Sequence, residues 1–379
     1  MLAAILGRIR RAGPMPFSQY LDLCLYGPGG FYAAGGGAGR RSDFLTSPEV
    51  GGLFGALVAR AIDAEWERCG RPDPWLVIEA GAGSGSLAVA ILGAGPTCAP
   101  ALRYVGVEVS DQLRSMAADR LPLELPALVV GPGKPRPTDS EDGSESLPVA
   151  GRGPLVTFLA DLPAQPFTGM IIANELLDNL AFDLFEHRDG HWVEIRVGEL
   201  DGALVEVPVE AAPADAMEAS RLAPDASSNG RLALQHGARA WLARSLGLVE
   251  RGRIVCVDYC VEMTSSMVER PQHEWLRTYR RHGHGAGPLE VPGEQDVTCE
   301  VAIDQLASVR GPTSDHSQSQ WLEARGLAEL VDAARQHWRA AAARPDLAAL
   351  AARSRVAEAG ALIDPGGLGA FRVLEWEID

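Results

Sequence analysis

Lysine is almost absent from this chain: Lys134 is the only one in 379 residues, so nearly all the positive charge is arginine. Arginine suits bidentate ion pairs, although the plainer cause of such a skew is biased base composition of the coding sequence. Basic residues are scarce altogether, 34 against 50 acidic, for a net charge of −16. A protein that tracks a nucleic-acid backbone carries a basic footprint, so general nucleic-acid affinity is not expected, while a local basic patch is still allowed. No uninterrupted run of about 18 apolar residues occurs, which excludes a transmembrane helix. The N-terminus, Met1–Arg11, is basic and amphipathic but lacks the long apolar stretch and small-residue cleavage site of a secretory signal. It could open a transit peptide; an ordinary first helix is the expectation, because Gly13-Pro14 ends it and a structured-looking segment follows. The six cysteines, Cys24, Cys69, Cys98, Cys256, Cys260 and Cys299, form no Cys-x-x-Cys. Reduced thiols in a cytoplasmic protein are the reading, with neither a zinc site nor a disulfide frame.

What is present is ordinary globular material. Hydrophobic residues make up 46% of the chain, enough for a large core and two domains. Residues 1–70 read as an N-terminal helical cap or lid. Phe17–Tyr26 is apolar at helical spacing, Gly27-Pro-Gly-Gly30 breaks it, and Ser47-Pro48-Glu49 starts another helix with Ser47 as N-cap, continued by Leu53, Leu57, Val58, Ile62 and Trp66. From 71 to 265 strands alternate with helices: Trp75–Glu79, Tyr104–Val109, Leu155–Ala160, Gly169–Ala173 and Ile254–Asp258 are short apolar runs, and the pattern predicts an α/β fold with a doubly wound parallel sheet. Residues 181–208 are expected as further strands of a mixed sheet. Residues 131–154, with an acidic run and many prolines and glycines, and residues 211–230 are expected to be mobile loops. Residues 266–379 form a C-terminal cap: two amphipathic helices over Trp321–Val331 and Ala333–Ala352, and a final alternating strand, Phe371–Ile378.

The strongest local signal is Val77-Ile-Glu79-Ala-Gly81-Ala-Gly83-Ser-Gly85-Ser-Leu87. An apolar strand ends in an acid, glycines alternate, and a helix begins. Gly81, Gly83 and Gly85 let the backbone turn sharply and approach a ligand closely. A dinucleotide fingerprint would place its third glycine where Ser86 stands, and the acid Glu79 suits a positively charged ligand better than a pyrophosphate. The Glu-x-Gly-x-Gly-x-Gly form is typical of S-adenosylmethionine enzymes; a bare glycine turn is the alternative. Glu108 ends the next strand, where an acid can accept both hydroxyls of an adenosyl ribose, a place that nicotinamide enzymes use too. Asp161, after the third strand, is placed to meet the adenine edge or to serve a simple turn. Asn174 and Glu175 follow the fourth strand at the carboxyl edge of the sheet, where α/β proteins bind ligands; helix capping by Asn174 beside a solvated Glu175 is the other reading. The cluster Arg277–His284 holds two histidines but too few ligands for a metal.

The combination of Ser42–Glu49, the Glu79–Gly85 loop, Ala173-Asn-Glu-Leu-Leu-Asp178, Asp258-Tyr259, Leu276–Tyr279, Gly293–Thr298 and Asp364–Gly369, in this order, resembles the MidA family of S-adenosylmethionine-dependent methyltransferases. That family includes a mitochondrial complex I assembly factor. The resemblance spans almost the whole chain and implies a class I, Rossmann-like methyltransferase core with helical N- and C-terminal additions. It further implies S-adenosyl-L-methionine as cofactor, no metal, and, for the mitochondrial branch, methylation of a protein arginine, with a respiratory complex I subunit as partner. Asn179-Leu-Ala181 stands where the family usually reads Ala-Leu-Pro, which bears on the acceptor pocket.

Methyl transfer from a sulfonium needs alignment more than a strong base. A guanidinium is a poor nucleophile, so carboxylates that localise its charge and take its proton help. Glu175, Asp178 and Glu49 are the catalytic candidates, with Asp43 beside them, and the segment from Asp43 to Glu49 is a candidate lid. Capping and helix-dipole roles compete for Asp43 and Glu49. Two other functions stay open: a non-catalytic assembly chaperone that keeps the cofactor as a structural ligand, and a small-molecule methyltransferase. Oligomeric state is not legible.

Overall fold

The computed structural model describes residues 1–36, 46–131, 152–280 and 283–379. Asp43 with the first three residues of the candidate lid, 43–45, and nearly all of the 131–154 insert therefore lie outside the described residues. The chain forms two compact units that interleave in sequence, unlike the three consecutive regions 1–70, 71–265 and 266–379. One comprises Met1–Phe44, Glu175–Arg244 and Asp258–Gly311; the other comprises Leu45–Asn174, Ser245–Val257 and Pro312–Asp379.

The second unit is built on a seven-stranded sheet: β1 (Trp75–Ala80), β2 (Leu102–Val107), β3 (Leu155–Leu159), β4 (Phe167–Asn174), β5 (Val249–Asp258), β6 (Ser314–Ser317) and β7 (Arg372–Ile378), in the order 3-2-1-4-5-7-6. Neighbours from β3 through β5 are parallel, and β6 is antiparallel to β7. This is the doubly wound order with the C-terminal strand inserted between β5 and β6. The expected last strand is therefore part of the main sheet. Strands covered on both faces read as continuous apolar runs, and every residue of β2 is buried. The core joins the sheet (Trp75, Val77, Tyr104, Met170, Val255) to helix Gly52–Arg68 (Leu53, Phe54, Leu57, Ile62), helix Ser86–Gly93 (Leu87, Ile91) and Trp321.

Ser47 is not an N-cap. The helix is only Ser47–Val50, preceded by Thr46, and the fully buried Ser47 hydroxyl donates to Gln318 Oε1 at 2.9 Å. Nor does the helix run on to Trp66. Gly51 interrupts it, since a Cβ there would stand 2.1 Å from the carboxyl carbon of Glu358. That carboxylate accepts the N–H of Leu53 at 3.0 Å and so caps the longer helix, Gly52–Arg68. The C-terminal helices are Gln318–Glu323, Leu327–Ala341 and Leu347–Leu362. They are divided at the left-handed Gly326 and at Asp346, which caps the last one by accepting from Ala349 N at 2.8 Å.

In the first unit, residues 181–208 do not extend the main sheet. They form an antiparallel sheet of Asp183–Arg188, His191–Leu200, Ala203–Glu210 and Arg231–Leu234. Its two hairpins turn on Asp189-Gly190 and Asp201-Gly202, all four residues at positive φ, the geometry of a two-residue type I′ turn. Residues 211–230 are not a loop throughout. Pro213–Leu222 is a helix with Ala219 and Leu222 buried, and Glu218 pairs with Arg239. Its buried face is alanine and leucine, so the prolines and serines around it dominate the composition. Helices Leu2–Ala12 and Phe17–Tyr26 supply Ile5, Ile9, Phe17 and Tyr20 to the same core as Phe182, Leu184, Phe185 and Ile195. Among the described residues, no helix is long and apolar enough to cross a membrane.

Candidate active site

The candidate cofactor site is built where β1 and β2 end, in the second unit. Gly81, Gly83 and Gly85 have φ of 72°, 52° and 78°, a region that costs an L side chain about 1–2 kcal/mol. Gly85 caps the N-terminus of helix Ser86–Gly93 in the left-handed conformation. A Cβ on Gly83 would meet nothing within 4 Å, whereas one on Gly85 would meet Leu121 at 3.1 Å and Ala117 and Phe158 at 3.3 Å. Gly85 is thus required by packing, and Gly83 borders open space.

Two acids flank this loop. Glu108, the residue after β2, is buried; its Oε2 accepts the N–H of Gly83 at 3.0 Å and its Oε1 that of Ser110 at 2.8 Å. Burial raises its pKa, and these N–H donors pull it back. Each oxygen keeps a second lone pair, so the ribose role is compatible with the loop-holding role. Glu79 is buried in β1 and accepts the Tyr104 hydroxyl at 2.6 Å. Burial pushes it up to about 8, the Tyr104 bond opposes the shift, and the Glu108 charge adds to it. Arg120 Nη1 fastens the loop by donating to Ser84 Oγ at 2.8 Å and Ser86 Oγ at 2.9 Å. Asp161 is exposed just past β3 and accepts its neighbour's N–H, from Leu162, at 2.8 Å. Asn174 ends β4, in line with Val257 of β5. Glu49, half-buried, stands in the first turn of Ser47–Val50, where a carboxylate complements the helix dipole.

A separate cluster of acids lies in the first unit. Glu175 follows Asn174 by one peptide bond and takes φ of +52°, rare for a residue with a side chain and a mark of functional strain. No helix begins at Asn174, so the capping alternative falls; a 3₁₀ turn, Leu177–Asn179, comes next. Asp178 in that turn is buried. Its Oδ2 accepts the Tyr259 hydroxyl at 2.5 Å, while its buried Oδ1 has no hydrogen-bond partner among the described residues. Asp258 is 1% exposed. Its Oδ2 accepts the backbone N–H of Leu177 at 3.0 Å and of Asp178 at 3.4 Å, and its Oδ1 accepts that of Tyr259 at 2.9 Å. Burial raises Asp178 to about 6; burial and the charges of Asp178 and Glu175 hold Asp258 well above the usual carboxylate range. Beside them, the Tyr32 hydroxyl meets Asn179 Oδ1 at 2.9 Å and Asp296 Oδ1 at 3.2 Å, and Asn179 Nδ2 donates to Asp296 Oδ1 at 3.1 Å.

Residues 57–318 match a family described as putative S-adenosyl-L-methionine-dependent methyltransferases. The chain belongs to this methyltransferase family. Among curated relatives of the methyltransferase, a Drosophila melanogaster protein arginine methyltransferase NDUFAF7 homolog, mitochondrial, is 28% identical, over 80% of this chain and 69% of that one. The Xenopus tropicalis protein arginine methyltransferase NDUFAF7, mitochondrial, is 25% identical over 83% and 74%. The mouse protein of that name is 28% identical, but the match spans only 52% of this chain and 45% of the mouse one. A solved structure from Burkholderia thailandensis bound to S-adenosyl-homocysteine superposes with a TM-score of 0.77 at 26% identity, covering 100% of this chain and 92% of that one.

The methyltransferase's own residues fit S-adenosylmethionine, its cofactor. A glycine loop with open space over Gly83 would hold the aminoacyl end. The buried Glu79, short of a cation, suits its positive charge, and Glu108 suits its ribose. Sequence spacing alone does not mark Asp258, Tyr259, Tyr32 and Asp296 as candidate site residues, nor Tyr104 and Arg120 as supports of the loop. Asp258 was within reach of the rule that found Glu108: it is an acid ending an apolar strand.

Proposed function

We propose that this methyltransferase acts on an arginine side chain of a protein. The observation that carries the reading is the group Glu175, Asp178 and Asp258. These are three interacting carboxylates, two of them buried with raised pKa values, and such a group gains most from a planar cation with several N–H donors. The relatives named as protein arginine methyltransferases support the same acceptor. When bound, S-adenosylmethionine supplies a methyl group on a sulfonium, and the carbon–sulfur electron pair stays on sulfur. Glu175 localises the guanidinium charge, and Asp178 accepts an N–H at Oδ1, the buried oxygen with no hydrogen-bond partner among the described residues. A respiratory complex I subunit, the acceptor implied by the MidA resemblance, is the first to test. A reducing, cytoplasmic compartment is part of the reading, supported by six free cysteines.

The test is incubation with methyl-labelled S-adenosylmethionine and an extract of cells lacking the chain, followed by mapping of the labelled residue. Label on arginine is expected. Label on another residue type, or only on small molecules, overturns the arginine acceptor. Cofactor binding without label in any fraction replaces it with the assembly-chaperone reading.

A further inference from the structure

Three hydrogen bonds close a ring around one carboxylate. Asp258 Oδ2 holds the backbone of Asp178, Asp258 Oδ1 holds the N–H of Tyr259, and the Tyr259 hydroxyl returns to Asp178 Oδ2. Asp178 is 3% exposed, and its remaining oxygen, Oδ1, is buried with no hydrogen-bond partner among the described residues. A buried carboxylate oxygen is costly to leave unpaired, and the ring prevents it from rotating to find a partner. We infer that Asp258 and Tyr259 are positioning residues of the methyl transfer, which fix the Asp178 carboxylate so that Oδ1 receives an acceptor N–H and then its proton. The inference rests on the arginine reading for the identity of the acceptor, and on geometry alone for the fixed carboxylate.

The proton balance requires such a base. An arginine nitrogen that gains a carbon must shed a proton, since the methylated guanidinium stays a monocation at neutral pH. Asp178 takes that proton on Oδ1 and passes it to water between turnovers. Its charge state answers to its neighbours on every packed element: Glu175 before the turn, Asp258 and Tyr259 at the end of β5, Tyr32 after the second helix, and Asp296 and Cys299 on the strand Asp296–Cys299. Arg277 lies over the Tyr259 ring, 5.7 Å from its centroid. The Tyr259 hydroxyl favours the ionised form of Asp178, so removing it moves the titration upward.

The experiment is a difference-infrared pH titration of the full chain, with no acceptor needed. Wild type should show a carboxyl titrating near pH 6 that Asp178→Asn abolishes. In Tyr259→Phe the same band should move to higher pH by about half a unit or more. In the labelling assay, Tyr259→Phe should lower kcat about tenfold, leave the KM for cofactor within a few-fold, and carry the acid limb of the pH–rate profile upward with the band. A purely structural Tyr259 would instead lower thermal stability with band and limb unmoved, and that result overturns the inference. Asp178→Glu guards against a misfolded Phe variant. It keeps the charge but shifts the oxygens, so turnover should fall as in Asp178→Asn, and wild-type turnover in Asp178→Glu would equally overturn the inference. If the titrations behave as stated but no arginine is labelled, the fixed carboxylate stands and the arginine acceptor fails.

Discussion

Glu108 Oε2 accepts the N–H of Gly83 at 3.0 Å, across 25 positions of sequence. One side chain thus shapes the glycine loop from the end of the neighbouring strand and keeps lone pairs for a ribose. Glu108→Ala removes both functions. A hydrogen bond to a charged group contributes about 1.5–3 kcal/mol, so S-adenosylmethionine affinity should fall by roughly tenfold to a hundredfold. Calorimetry measures this directly, and an Ala variant that binds like wild type would remove Glu108 from the site.

Gly83 and Gly85 should respond differently to the same substitution. Both have positive φ, but only the Cβ on Gly85 crowds protein atoms. Gly85→Ala should therefore lower stability by more than the ~1–2 kcal/mol of left-handed strain. Gly83→Ala should cost about that strain alone while losing cofactor affinity, and Gly83→Val should abolish binding in a chain that still folds. Thermal melts with and without S-adenosylmethionine separate the two cases. Equal stability losses at the two positions would contradict the packing difference.

The pH dependence of the free protein should carry the signature of Glu79. Burial holds its folded-state pKa near 8, against an ordinary value of 4.5. A group raised on folding contributes stability below its unfolded pKa that is lost as pH rises through the folded one. The ligand-free protein should thus lose stability between about pH 4.5 and 8 from this residue, and Glu79→Gln should flatten that slope. A positively charged ligand favours the ionised form, so binding below pH 8 should release protons, visible as a buffer-dependent heat in calorimetry. A Gln variant with an unchanged slope would show that Glu79 is already ionised.

What was legible in the sequence follows from how local each feature is. The β1 strand, the glycine loop and Glu108 follow one another along a single strand–loop–helix–strand stretch, and alternation, turn chemistry and strand-end placement mark all of them. The ring of Asp178, Asp258 and Tyr259 joins residues 80 or more positions apart. The Tyr32–Asn179–Asp296 network spans more still, and no periodicity announces either. The helix Pro213–Leu222 was obscured because small alanines form its buried face. The hairpin sheet over 183–210 was recognised as strands, but its separation from the main sheet depends on pairing partners that alternation does not specify.

Glu175 offers the sharpest trade between stability and activity. It stands one residue past β4 with φ of +52°, and its charge helps to raise Asp258. If it orients a guanidinium, Glu175→Gln keeps the shape, leaves S-adenosylmethionine affinity within a few-fold, and cuts methyl transfer by roughly a hundredfold. Backbone strain is read from a second pair of variants, Glu175→Ala and Glu175→Gly, which lack the carboxylate alike. They differ in the left-handed penalty, so Gly should be the more stable by about 1 kcal/mol, with both inactive. Denaturant titration measures the first difference and the labelling assay the second. Full turnover by Glu175→Gln would take the residue out of the reaction. An Ala variant as stable as the Gly variant would show that the backbone at 175 relaxes out of the left-handed region once the side chain is gone, and that the carboxylate itself holds it there.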